Sequence, residues 1–211
     1  MSLALFTIFG SSFVIALSGA LMPGPVLTVT VSESVRRGAK AGPLMILGHG
    51  ILELALVLAL LGGLAPWFSR DEVFITVSLL GGAILFWMAC MMFKELPGLK
   101  LKLEDVEEKP RSLILSGILL SLANPYWLIW WATIGIGYIM YSVKFGIPGI
   151  IAFFCGHILA DLAWYSLISF GVAKGRSFFT DGFYRRLIGV CASFLCVFSC
   201  YFLYSGLDKI L

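Results

Sequence analysis

Two segments of this 211-residue chain place a histidine and a carboxylate four residues apart within long apolar runs. The first reads GHGILE and contains His49 and Glu53, and the second reads GHILAD and contains His157 and Asp161. Residues four apart lie on one face of an α-helix, so each pair is predicted to be in contact. A carboxylate beside an imidazole can hold or pass a proton near neutral pH. These four residues are therefore candidates for binding a coupling proton or ion.

The two pairs admit three interpretations. They can bind a proton or a substrate amine, they can act as a purely structural hydrogen-bonded contact, or all four side chains can converge on a divalent metal such as zinc, manganese or iron. Ionisable groups inside a membrane are costly and usually functional, which favours the first and third interpretations. An enzyme is not predicted, because the sequence has no HExxH motif and no serine-nucleophile motif. No cofactor is predicted either.

The composition is that of an integral membrane protein. Hydrophobic residues make up 60% of the chain and charged residues 13%, against about half and about a quarter in soluble domains. A membrane-spanning helix needs about 20 apolar residues, and six segments qualify: 5–34, 43–65, 73–93, 112–140, 147–172 and 187–207. We predict an all-α protein of the cell membrane with six transmembrane helices in contact with lipid. The formal charge of +3 gives no indication of nucleic acid binding.

Positive charge is distributed unevenly over the predicted loops. Twelve of the fifteen Lys and Arg residues follow the first, third and fifth segments, and cytoplasmic loops carry such an excess. Both termini are therefore predicted to lie outside the cytoplasm, with residues 94–111 as a cytoplasmic linker. This orientation requires the first segment to be a retained span, which its lack of a basic start favours over a signal peptide.

The halves on either side of the linker resemble each other. Three pairs of residues are each separated by 108 positions, namely Gly38 and Gly146, His49 and His157, and Glu53 and Asp161. We predict two three-helix repeats, residues 1–93 and 112–211, within one membrane domain. Because three is an odd number of spans, the second repeat must enter the membrane from the opposite side. Inverted repeats of this kind are typical of secondary transporters, whose substrate site lies near the midplane.

Prolines are predicted to break the first and fourth helices. Pro23, Gly24 and Pro25 lie in the first segment, and Asn124 and Pro125 lie in the fourth. Proline removes a backbone donor and clashes with the preceding turn. Each break is predicted to lie roughly 16–20 Å from the cytoplasmic end.

A broken helix offers free N–H groups that suit an anion such as a carboxylate. A simple kink explains either break alone, but the symmetric pair favours a substrate site. The predicted substrate-binding residues are the five at the breaks and the adjoining Tyr126.

The chain resembles the LysE/RhtB family of amino-acid exporters. The resemblance rests on GALMPGPVLTVTVSESVRRGAKAG and GHGILELALVLALLGGLAP in the first half and on LANPYWLIWW in the second. It implies export of amino acids or related small metabolites driven by an ion gradient, with Pro23, Gly24, Pro25, Asn124 and Pro125 as functional positions. Members often have a lysine soon after the Asn-Pro, whereas Tyr126 follows here, which leaves the substrate open.

Taken together, these features predict a secondary transporter that exports amino acids or related metabolites by alternating access. A proton or another cation is the predicted coupling ion, and divalent-metal export by His49, Glu53, His157 and Asp161 is the alternative. The sequence leaves a homodimer open.

The orientation can be tested by labelling a single cysteine placed in loop 94–111 of a variant whose five native cysteines are replaced. We expect a membrane-impermeant maleimide to label it in inverted vesicles and not in intact cells, because the loop is predicted to be cytoplasmic. A cysteine introduced near the N-terminus should show the opposite pattern. Labelling of the loop from outside would contradict the predicted topology.

Overall fold

The structure, a computed structural model, describes residues 2–68, 70–98, 112–175 and 180–210. Every regular element among these residues is helical: α1 Ser2–Ala20, α2 Pro25–Arg37, α3 Ala41–Ala59, α4 Ala65–Phe68, α5 Asp71–Glu95, α6 Leu113–Leu122, α7 Pro125–Trp130, α8 Ile136–Val143, α9 Gly146–Lys174 and α10 Asp181–Asp208. Short 3₁₀ turns occupy Gly38–Lys40 and Leu96–Gly98, and π-type turns occupy Leu60–Leu64 and Trp131–Gly135.

The helices confirm the predicted all-α membrane fold. Five stretches are long and apolar enough to cross a membrane, namely Ser2–Ala20, Pro25–Leu64, Asp71–Gly98, Gly146–Lys174 and Asp181–Asp208. A sixth crossing results if the bent pair Leu113–Leu122 and Tyr126–Val143 is one span. At Gly38 the backbone adopts a φ of 78°, which separates α2 from α3, and these two helices pack against each other.

Both predicted helix breaks are present. α1 ends at Ala20 and α2 begins at Pro25, with Gly24 in an extended conformation before it. In the second half, α6 ends at Leu122, α7 begins at Pro125, and the axis bends by 66°. Proline at the first position of a helix has no N–H to lose, so each proline begins a new helix at low cost.

Close helix contacts relate the two halves. α1 packs against α9, α6 packs against α3, and α3 and α9 also touch. A Cβ on Gly48 would lie 1.9 Å from the Ile114 carbonyl oxygen, and one on Gly156 would lie 2.3 Å from the Phe9 carbonyl oxygen. The two glycines are 108 residues apart and the two facing residues 105 apart. This correspondence agrees with a duplication, while the opposite orientation of the halves stays a prediction.

The predicted linker is described only at its start. α5 continues to Glu95 and a 3₁₀ turn covers Leu96–Gly98. Residues 99–111 lie outside the described part of the chain, so the linker and the boundaries of the repeats stay predictions.

One contact in this fold can be tested with two glycines of α9. Gly156 abuts the Phe9 backbone of α1, whereas a Cβ on Gly171 would meet nothing within 4 Å. Overpacking against a backbone costs about 1–3 kcal/mol, and the gain in helix propensity from Gly to Ala is about 1 kcal/mol. We expect Gly156→Ala to lower the free energy of unfolding in detergent and Gly171→Ala to leave it unchanged or raise it. Equal effects of the two substitutions would contradict the observed contact.

Candidate functional site

One cavity lies where the two helix breaks meet α3 and α9. Its empty space, counted together with its open mouth, is about 670 Å³. Eight of the ten predicted site residues line it: Pro23, Gly24, His49, Glu53, Asn124, Tyr126, His157 and Asp161. Pro25 begins α2 without being part of the lining, and Pro125 begins α7.

The Glu53 carboxylate is the centre of the site and is only 1% exposed. Its Oε1 accepts hydrogen bonds from the indole nitrogens of Trp131, at 2.8 Å, and Trp127, at 3.0 Å. His49 Nε2 lies 3.0 Å from the same oxygen, and His157 Nε2 lies 2.9 Å from Oε2. A buried carboxylate is tolerated only when hydrogen bonds or ion pairs replace its hydration. Two indole hydrogen bonds and two imidazole contacts supply that replacement, although the contact of His157 with Oε2 is an ion pair without hydrogen-bond geometry.

His49 is fixed from both sides. Its Nδ1 lies 2.7 Å from Ser121 Oγ, and Ser121 Oγ donates to the Gly117 carbonyl oxygen, also at 2.7 Å. Because the serine hydroxyl has a single proton, Nδ1 must be the donor in the first bond. Nε2 and Glu53 Oε1 therefore share a second proton across their 3.0 Å contact. His49 thus connects Glu53 on α3 to the end of α6.

Asp161 is held less tightly than Glu53. Its Oδ2 lies 3.6 Å from His157 Nε2 and 3.9 Å from His49 Nε2, distances too long for hydrogen bonds. Spacing predicted a contact within each His–carboxylate pair, and the shorter contact of His157 is instead the one to Glu53 of the other half. Within the described residues, Asp161 Oδ2 is buried without a hydrogen-bond partner.

Aromatic rings surround His157. The ring centroids of Trp130, Trp131 and Phe153 lie 4.9, 5.4 and 5.9 Å from that of the imidazole. A π-type turn at Trp131–Gly135 follows α7, and a Cβ on Gly135 would lie 2.4 Å from the Trp131 ring. Glycine at this position therefore gives the Trp131 ring the space in which it reaches Glu53.

The two helix breaks differ in their free donors. At α2, Gly24 supplies no side-chain cap, so the N–H groups of Val26 and Leu27 have no acceptor within the helix. At α7, Asn124 Oδ1 accepts from the Tyr126 N–H at 3.1 Å, and the Asn124 carbonyl oxygen accepts from the Trp127 N–H at 3.0 Å. Both breaks were expected to offer N–H groups to an anion, and only the start of α2 does so.

The breaks also touch each other, because a Cβ on Gly24 would lie 3.5 Å from Asn124 Nδ2. The two halves of the chain therefore meet at the breaks.

Three side chains of the site were not predicted as functional. Trp130 lines the cavity, Trp131 binds Glu53, and Ser121 anchors His49. A signal existed for the tryptophans: Trp127 and Trp131 are four residues apart after the Asn-Pro break, which places both indole N–H groups on one helix face.

The ligand atoms of His49, Glu53 and Asp161 lie within 4.8 Å of one another. Imidazole and carboxylate ligands suit zinc and related divalent ions. Glu53 Oε1 already accepts two indole N–H groups, which a cation at that oxygen would have to displace.

Comparison with known proteins identifies relatives of the chain. The sequence model of a family described as LysE type translocator matches residues 17–206, which include both helix breaks and all four His and carboxylate residues. The chain is also similar to the chemotactic transduction protein ChpE of Pseudomonas aeruginosa, with 29% identity over 167 residues that cover 76% of this chain and 79% of that protein. No solved structure shows a significant match.

The hydrogen bonds to Glu53 can be tested with two adjacent tryptophans. Trp131 donates to Glu53, whereas Trp130 Nε1 is buried with no partner among the described residues. Both Trp→Phe substitutions remove similar ring area, and only Trp131→Phe removes a hydrogen bond to a charged group, worth about 1.5–3 kcal/mol. In mixed micelles, we expect Trp131→Phe to lower the free energy of unfolding by about 1.5–3 kcal/mol more than Trp130→Phe does. Equal losses would show that the indole bond does not stabilise the site.

Proposed function

The chain belongs to the LysE type translocator family, and on that premise we propose that it exports amino acids or related small metabolites from the cytoplasm by alternating access. It is an integral membrane protein with five or six membrane-crossing helices. The observation that carries the proposal is the cavity in which two helix breaks meet a buried cluster of imidazoles and carboxylates.

The chemistry of the cavity walls suits a zwitterionic α-amino acid. The uncapped start of α2 offers N–H donors and the positive end of the helix dipole to a carboxylate. The cluster of Glu53 and Asp161 lies in the same cavity and offers negative charge to an amine. Tyr126 and Trp127 supply aromatic surface for an apolar side chain.

Coupling to an ion gradient is proposed to occur at His49, Glu53, His157 and Asp161. These side chains connect α3 and α9, one helix from each predicted three-helix repeat, and His49 also contacts Ser121 of α6. A proton gained or lost here changes the hydrogen bonds that hold the repeats together. We infer that this change accompanies rocking of the two repeats, with both termini outside the cytoplasm.

Divalent-cation export is the second candidate, favoured by the convergence of the His49, Glu53 and Asp161 ligand atoms within 4.8 Å. It ranks below amino-acid export because Gly24 and Val26 at the start of α2 also line the cavity. The N–H groups at the start of a helix favour an anion and not a cation.

The proposal can be tested by measuring flux in proteoliposomes with a panel of L-amino acids and, separately, with Zn²⁺ and Mn²⁺ under an imposed pH gradient. We expect amino-acid flux by the wild type, and at least about a tenfold loss, equivalent to 1.4 kcal/mol, in Glu53→Gln and Asp161→Asn. Glu72→Gln serves as the matched control, because Glu72 is an exposed residue in the first turn of α5.

Unchanged amino-acid flux in both cluster variants would refute the coupling role. Metal flux that is abolished by His49→Ala, in the absence of amino-acid flux, would favour the second candidate instead.

A further inference from the structure

We propose that the two carboxylates of the cluster have different tasks: Glu53 is a positioning residue that holds the surrounding side chains, and Asp161 binds the primary ammonium group of the substrate. This inference rests on the proposed export of amino acids. It assigns one residue of the site to one chemical group of the substrate, and it restricts the substrate to molecules that carry an amine beside their carboxylate.

The contacts of Glu53 leave it little capacity for a ligand. Oε1 has three nitrogen neighbours at 2.8–3.0 Å, those of Trp131, Trp127 and His49. The other oxygen has His157 Nε2 at 2.9 Å. Glu53 Oε2, like Asp161 Oδ2, is buried without a hydrogen bond among the described residues, but the His157 ring already occupies the space beside it, with Nε2 at 2.9 Å.

The nitrogens nearest to Asp161 lie farther away than those around Glu53. Asp161 Oδ2 is buried, belongs to a side chain that lines the cavity, and has no hydrogen-bond partner among the described residues. The nearest nitrogens, in His157 and His49, lie at 3.6 and 3.9 Å. A buried acceptor without a donor is destabilising and calls for a specific explanation. Because no described side chain supplies the donor, we assign it to the occupant of the cavity.

The two halves differ in what contacts the Nδ1 atom of their histidine, His49 or His157. Ser121 of α6 contacts His49 Nδ1. Corresponding residues of α1 and α6 are 105 positions apart, as Phe9 and Ile114 are, so the counterpart of Ser121 is Ala16. Alanine has no hydroxyl, and His157 Nδ1 is buried without a partner in the described part of the chain. His157 Nδ1 and Asp161 Oδ2 therefore lack the hydrogen bonds that His49 Nδ1 and Glu53 Oε1 have, and a ligand can supply them.

The surroundings of Asp161 favour an ammonium group. Trp130 lines the same cavity as Asp161, and an indole face attracts cations. An ammonium group carries three N–H donors, so it can satisfy Asp161 and neighbouring acceptors at once. The start of α2 lies in the same cavity and suits the carboxylate of the same molecule. A 2-hydroxy acid with the same side chain would keep the contact of its carboxylate with the start of α2 and would lose the contact of an ammonium group with Asp161.

The assignment can be tested by labelling the wild-type protein in liposomes with N,N′-dicyclohexylcarbodiimide, which adds to carboxyl groups in apolar surroundings. Mass spectrometry of the digested protein then compares the label on Asp161 with that on Glu53. The protecting probes are L-leucine, L-threonine and L-lysine, each paired with the 2-hydroxy acid of the same side chain. We expect labelling at Asp161 at least about tenfold above Glu53, and protection by at least one amino acid but not by its hydroxy acid.

Variants separate the positioning role from the binding role. In Glu53→Gln, the amide oxygen can still accept the indole hydrogen bonds, so we expect Asp161 labelling and its selective protection to persist even where flux is lost. Asp161→Glu should restore part of the preference for amine over hydroxy acid that Asp161→Asn abolishes in flux assays. Loss of selective protection in Glu53→Gln would give Glu53 a direct role in ammonium binding and would overturn the division of tasks.

The remaining outcomes are also decisive. Label on Glu53, label on neither carboxylate, or equal protection by the amino acid and its hydroxy acid would overturn the assignment of Asp161. A wild type that transports no amino acid while Asp161 alone is labelled would refute the proposed export function, and it would leave Asp161 as the open carboxylate of the cluster.

Discussion

The buried carboxylate of Glu53 is the interaction on which the arrangement of the site depends. A carboxylate at membrane depth is stable only if the protein replaces its hydration, and the nitrogens that do so come from four helical elements. His49 lies on α3 with Glu53 itself, His157 lies on α9, and the two indoles come from α7 and the turn after it. Satisfying one buried charge thus fixes the relative positions of helices from both halves of the chain.

The backbone polar groups at the helix breaks also need partners at membrane depth. Irregular backbone at membrane depth is tolerated only where protein or a wet cavity satisfies its polar groups. At α7 the Asn124 side chain and carbonyl oxygen take up the first N–H groups, so this break is satisfied internally. At α2 the cap is a glycine with no side chain. Gly24 and Val26 at the start of α2 and Asp161 of α9 line one cavity, so in the proposed export one bound molecule would contact both sites.

Much of this could be predicted from local sequence. The spacing of His49 and Glu53 predicted their contact, and the prolines predicted both breaks, because each signal acts within a turn or two of one helix. The short contact of His157 with Glu53 could not be predicted, since it depends on how α3 and α9 pack. The indole hydrogen bonds could not be predicted either, because they join residues 74 and 78 positions apart in sequence. The correspondence of Ala16 with Ser121 could not be predicted, because it rests on the contacts that relate α1 to α6.

The position of the breaks along their helices has a mechanical consequence. α1 has 19 residues and the stretch from Pro125 to Val143 is equally long, whereas α2 has 13 residues and α6 has 10. At 1.5 Å per residue the long arms measure about 28 Å and the short arms about 15–20 Å. Each break is therefore an off-centre pivot. In the proposed alternating access, the same angular swing would move the far end of a long arm about one and a half to two times as far as the end of a short one, so the two membrane faces would open by unequal amounts. On the predicted topology the larger displacement occurs on the side away from the cytoplasm.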